Sequence, residues 1–132
     1  MGYRSDVAYT IRFNSDDDTV TDHSFYTFLA EAKSKPEYAL ALDDKGIEID
    51  EVRRRINFSA SDVKWYEGYP DVDSHTKLLE LAKDWIDNEA NPSIGYIFMR
   101  VGEEPTDIEE YQGGLFDWGW ITVSRTIHCD WD

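Results

Sequence analysis

The chain is predicted to be an α+β domain, a single sheet of about five strands with two helices on one face. Three observations predict this. Segments with a two-residue apolar period alternate with segments whose apolar residues fall at helical spacing. Those segments follow the order strand, helix, strand, strand, helix, strand, with one further C-terminal strand. No linker, internal repeat or low-complexity tract divides the sequence, so residues 1–132 read as one domain.

The first strand is Asp6–Phe13, where Val7, Tyr9, Ile11 and Phe13 alternate with Ala8, Thr10 and Arg12. The polar run from Asn14 to Asp18 breaks it as a turn. Thr21 or Asp22 can cap a helix carrying Phe25, Phe28, Leu29 and Ala32 at helical spacing to Lys35, and Pro36 stops it. Glu37–Leu42 reads as a short second helix and Asp43-Asp44-Lys45-Gly46 as a turn. Ile47 and Ile49, each beside an acid, predict a second strand. Arg54–Phe58 and Asp62–Tyr66 predict a third and a fourth, separated by Ser59-Ala60-Ser61. Asp73 or Ser74 can cap a long helix to Asn88, with Leu78, Leu81, Ala82, Trp85 and Ile86 on one face. Ile94–Val101 is the most strand-like run, Gly102–Gly114 reads as an acidic loop or ragged short helix, and Ile121–Ile127 is the last strand. Two amphipathic helices each bury one face, and one side of a sheet can cover both. The order is the βαββαβ arrangement of ferredoxin-like domains, with a strand added.

Composition removes several classes of function. With 41% apolar and 14% aromatic residues the chain is too hydrophobic to be disordered. It carries 28 acids against 13 bases, a net charge of −15, so direct binding to a nucleic-acid backbone is not expected. A single cysteine, Cys129, excludes an internal disulfide and a four-cysteine zinc site. No apolar run reaches the ~20 residues of a membrane span. The N-terminus lacks the basic and apolar stretches of a secretory signal, so a cytoplasmic location is expected. The charge is uneven: residues 84–132 hold 11 acids and only Arg100 and Arg125 as bases.

The residue types that carry catalysis do not converge. His23, His75 and His128 are far apart, and His128 and Cys129 are strand neighbours pointing to opposite faces. Neither the Asp16–Asp18 run nor Asp71 with Asp73 fits a calcium loop. There is no serine elbow and no phosphate-cradling loop. No catalytic residue, metal ligand or cofactor is assigned, and the reading leans away from an enzyme. The basic triplet Arg53-Arg54-Arg55 is expected to pair with Glu48, Asp50 or the acidic tail rather than to grip a phosphate.

Aromatic and acidic clusters are more informative. Trp65, Tyr66, Glu67, Tyr69 and Asp71 gather rings and acids just before the second long helix, and Trp118 lies in a similar mixture between Phe116 and Trp120. Exposed rings within a polar rim serve as anchors in protein interfaces, against the plainer reading of a packed lid over the core. Glu103, Glu104, Asp107, Glu109 and Glu110 form the densest acid run. As a helix it would align carboxylates in a strip able to imitate a phosphate backbone; as a loop it would simply be solvated. These eleven residues are the candidate partner-binding set.

The opening Met1-Gly2-Tyr3-Arg4-Ser5-Asp6-Val7 and the segment from Lys64 through Trp65-Tyr66-Glu67-Gly68-Tyr69-Pro70-Asp71 to Val72 resemble a group of small, mostly uncharacterised bacteriophage proteins. The likeness runs through most of the chain, including Ile97–Asp107. It implies a phage setting and the cytoplasm of a bacterial host, and it transfers no catalytic residue. The leading expectation is an acidic accessory protein that binds and modulates a host or anti-phage defence protein with a basic surface. The alternatives are a hydrolase or nuclease using Asp and Glu with a divalent metal, and a minor virion or assembly component. Sheets of this class also dimerise through an open face, which adds a homodimer to the expected partners.

Overall fold

The computed structural model describes residues 3–14, 17–87, 94–104 and 106–114, together with the strand backbone at 121–123 and 127–129. Among these residues the elements run β1 (Ser5–Phe13), α1 (Asp18–Ser34), a 3-10 turn (Pro36–Tyr38), α2 (Ala39–Leu42), β2 (Ile47–Asp50), β3 (Arg55–Val63), α3 (Pro70–Asp87), β4 (Ile94–Gly102), β5 (Ile108–Gly113), β6 (Ile121–Val123) and β7 (Ile127–Cys129). The main sheet is antiparallel with strand order β2-β3-β1-β4-β5. Its first four positions follow the ferredoxin-like order, and β5 extends it outside β4.

The core forms where period-two strands meet period-3.6 helices. Val7, Tyr9, Ile11 and Phe13 of β1, with Ile56 and Phe58 of β3 and Ile94, Tyr96 and Phe98 of β4, turn to one side. Phe25, Phe28, Leu29 and Ala32 of α1 and Leu78, Leu81 and Ala82 of α3 meet them there. Both long helices therefore cover one face. Trp85 joins them, its ring edge-on to Phe28 at 5.3 Å and its indole N–H donating to Glu31 at 3.2 Å. Each such ring or Leu contributes about 1.5–3 kcal/mol through burial.

Several element boundaries depart from the sequence reading. Helix α1 starts at Asp18, not after Thr21 or Asp22, because the Asp17 carboxylate accepts the Thr19 N–H at 2.9 Å and caps it. Helix α3 starts at Pro70, a residue suited to the first helical position because its missing N–H is not needed there. The two strands expected at 54–58 and 62–66 are one strand, β3, interrupted by a bulge. Val7 pairs with Ala60 but Ser5 pairs with Val63, so β3 carries one extra residue. Asp62 absorbs it at φ 57°, and its N–H is held by the Asp6 carboxylate at 2.9 Å. The expected strand 121–127 is two short ones, β6 and β7, paired with each other.

The second face of the sheet is not open. Ala8, Thr10, Arg12, Asn57, Ile97, Met99 and Val101 point away from α1 and α3 and are buried. The β6–β7 ladder lies against β1 and β4. A homodimer through an open sheet face thus loses its surface over the central strands.

Candidate partner-binding cleft

The segment expected to be an acidic loop or ragged helix, Gly102–Gly114, contains strand β5. The Gly102 N–H donates to the Asp107 carbonyl at 2.8 Å and closes a hairpin, after which Arg100 faces Glu109, Phe98 faces Tyr111 and Tyr96 faces Gly113. Strand alternation divides the acids. Asp107 and Glu109 turn to the helix side, while Glu110 shares the opposite side with Met99. The single-face strip expected of a helix does not form.

A cleft of about 850 Å³ lies between α3 and the β4–β5 ladder. Tyr96, Phe98, Arg100 and Tyr111 line its strand side, and Thr76, Glu80 and Lys83 its helix side. Tyr3, Trp65 and Tyr66 line it as well. Trp65 is half-buried and packs on the core, 5.9 Å from Phe58, 5.5 Å from His75 and 6.3 Å from Phe98 between ring centres. Tyr66 stands edge-on to Tyr69 at 5.3 Å and its hydroxyl accepts the Tyr3 N–H. Gly68 at φ 97° makes the turn between those two tyrosines possible, and the Asp73 carboxylate accepts its N–H at 3.0 Å.

At the hairpin end, Arg100 binds two acids. Its guanidinium donates to Asp107 at 2.7 and 3.2 Å and to Glu109 at 2.8 and 2.5 Å, with a further bond to the Ser5 hydroxyl at 2.9 Å. The Tyr3 hydroxyl donates to Asp107 at 2.6 Å and accepts the Glu104 N–H at 3.1 Å. The Arg100 and Tyr3 bonds hold the Asp107 carboxyl below its ordinary range, and the Asp107 bond raises the Tyr3 hydroxyl above its own. Glu103 accepts the Arg4 N–H at 3.2 Å. Residues 3–5 therefore strap the hairpin to the sheet.

The cleft gathers five of the eleven sequence candidates: Trp65, Tyr66, Glu67, Asp107 and Glu109. Tyr69 and Asp71 are exposed beside the start of α3, and Glu103, Glu104 and Glu110 are exposed around β5, all outside the cleft lining. Trp118 lies outside the described residues. Sequence reasoning missed Tyr3, Phe98, Arg100 and Tyr111. Arg100 had one available signal, as one of two bases in an acid-rich half. In the basic triplet, Arg53 pairs with Asp50 at 3.4 Å as expected, while Arg54 pairs with Asp22 of α1.

A second polar cluster sits inside the core. The Tyr9 hydroxyl and His75 Nδ1 are 2.6 Å apart, and His75 Nε2 is 3.0 Å from an Asp44 oxygen. Desolvation favours a neutral imidazole and lowers its pKa, although Asp44 pulls the other way. Neutral His75 then donates from Nε2 to Asp44 and accepts the Tyr9 proton at Nδ1. Burial likewise pushes the Tyr9 hydroxyl well above its ordinary value. His75 and Tyr9 are fully buried, so the set ties α3 to β1 and to the turn before β2 without reaching a substrate.

Among the described residues, no three His, Cys, Asp or Glu side chains gather as a metal site. No helix among them is long and apolar enough to cross a membrane. No protein-family model, no curated protein and no solved structure matches the chain.

Proposed function

We propose that this chain is a non-catalytic phage accessory protein that binds a host or defence protein bearing a basic surface, and that the α3–β4–β5 cleft is its reading face. The observation that carries this is a convergence. Two segments about forty residues apart in sequence, 65–67 and 107–111, line the same cleft with rings and acids. Aromatic side chains within a charged rim are the ordinary composition of a protein-recognition site. The cleft lining holds Glu67, Asp73, Glu80, Asp107 and Glu109 against Lys77, Lys83 and Arg100, so it is net acidic and favours a cationic guest.

The test is capture of host proteins on the immobilised chain at low and high salt. A basic partner retained at low salt, released at high salt, and lost with Tyr66→Ala plus Tyr111→Ala is the expected result. Glu31→Gln, on α1 and outside the cleft lining, should retain it. Capture unchanged by the cleft variant would sink this reading.

A further inference from the structure

We propose that the outer edge of β5 accepts an extended segment of the partner as a sixth strand, and that this segment carries a basic residue opposite Glu110 between apolar ones. The proposal rests on the reading above of a protein-binding module and names the chemistry of its partner.

Backbone geometry comes first. Among the described residues β5 pairs with β4 and is the last strand in the sheet order. The Gly102–Asp107 bond sets the phase of the antiparallel ladder: Glu109, Tyr111 and Gly113 turn their N–H and C=O groups toward β4. Glu110 and Gln112 therefore turn theirs outward. The strand is mostly exposed, with Ile108 44% and Tyr111 56% accessible. It contains neither proline nor lysine, two of the usual devices that block pairing at an edge. The opposite edge, β2, is only four residues long and ends at the Asp50 turn.

Side chains then select the guest. Along β5, Ile108-Glu109-Glu110-Tyr111 reads apolar, acid, acid, apolar. Glu109 and Tyr111 project on the cleft side, Ile108 and Glu110 on the other. Residues directly opposite across a ladder share a face, so opposite charges and apolar pairs stabilise it, while like charges opposite one another destabilise it. Glu109 already accepts Arg100 and the Tyr111 hydroxyl, so exposed Glu110 is the acid that faces a guest, and the complement is a base opposite Glu110 set between apolar residues, read in either direction. A second copy of this chain presents acids to acids at a net charge of −15 and fits poorly. The cleft and the edge lie on the same strand, so a partner whose terminal segment adds to β5 can seat neighbouring residues against Tyr111.

The experiment uses a fluorescent eight-residue peptide built around Val-Lys-Val and two N-methylated versions, each methylated at alternate residues of opposite phase. Binding to the full chain is read by anisotropy at low salt. Strand addition predicts that one phase weakens binding by at least about tenfold while the other leaves it near the parent value, because only alternate N–H groups face β5. Equal loss in both phases, or no binding by the parent peptide, overturns the proposal. Glu110→Lys should weaken the parent peptide by about two- to fivefold and favour a Val-Glu-Val peptide. An unchanged preference in a variant with the wild-type melting temperature counts equally against it. If the basic partner is still captured through Tyr66 and Tyr111 while the peptide fails, the edge proposal falls and the cleft reading stands. If the peptide binds but the Tyr66 and Tyr111 variant captures normally, the reverse holds.

Discussion

Strands β4 and β5 share a ladder yet live in different environments. From Ile94 to Val101 every residue of β4 is buried, on both faces. In β5 four residues of six are exposed. The cause is width. A helix with its side chains is about 10 Å across and strands repeat at about 4.8 Å, so two helices cover about four strands. The fifth overhangs, and among the described residues the overhang makes both the cleft and an edge that pairs with no further strand. Proximity in a sheet therefore does not equalise the constraint on neighbours: β4 answers to packing on both faces, and β5 does not.

The largest expected effect tests that contrast within one cross-strand pair. Phe98 is 5% exposed and Tyr111 56%, with ring centres 5.7 Å apart. Phe98→Ala should cost about 3–5 kcal/mol in denaturant unfolding. A cost below about 1 kcal/mol would show that β4 is not the stability-determining strand.

Next comes the residue that joins the two regions. Arg100→Met keeps the apolar stem but leaves Asp107 and Glu109 without their shared cation. Loss of these charge-assisted bonds should cost about 1–2 kcal/mol, discounted because both acids are partly solvated. Hydrogen exchange should quicken in β5 more than in β1 or β3, and uniform acceleration would refute a local clamp.

Acidity should affect the two regions in different windows. His75 has a folded pKa below 6.5, so the unfolded chain binds more protons just below that value. Global stability should therefore be level above pH 6.5 and fall as pH drops from there toward the lowered folded value. Asp107 has a folded pKa below 3.8, so its contribution persists down to about that pH and is lost only as pH falls through its depressed value. Melting scans from pH 8 to 3, with β5 amide exchange in parallel, should show the core weakening before the hairpin knot. Simultaneous loss would contradict the assignment.

The smallest stability effect is expected at Tyr111. Tyr111→Ala should change stability by less than about 1 kcal/mol, as for a largely exposed side chain. It should nonetheless weaken partner capture, and a large loss of stability would remove the distinction between the strands.

Much of the fold was legible because burial imposes periodicity. β1 alternates cleanly, β4 reads as a near-continuous apolar run because both its faces are buried, and both long helices show their apolar faces. β5 was not legible for the same reason: with neither face fully covered, Ile108-Glu109-Glu110-Tyr111-Gln112 has no apolar alternation to read. Of the site, Trp65 to Glu67 and the acids of 107–109 stood out by composition. Tyr3 and Tyr111 did not, because their roles come from contacts across the fold. The helix starts are hard to read, because Asp17 sits inside a run of acids and Pro70 reads equally well as a stop.

Asp62 has a consequence larger than its size. Phe58 and Ala60 lean on the core from even positions, whereas Val63 and Trp65 do so from odd ones. Within β3 only an inserted residue can change that parity between Ala60 and Val63, and Trp65 follows just beyond the strand's end. Shortening the chain there by one amino acid would swing the indole toward the far layer and leave His75 without its lid.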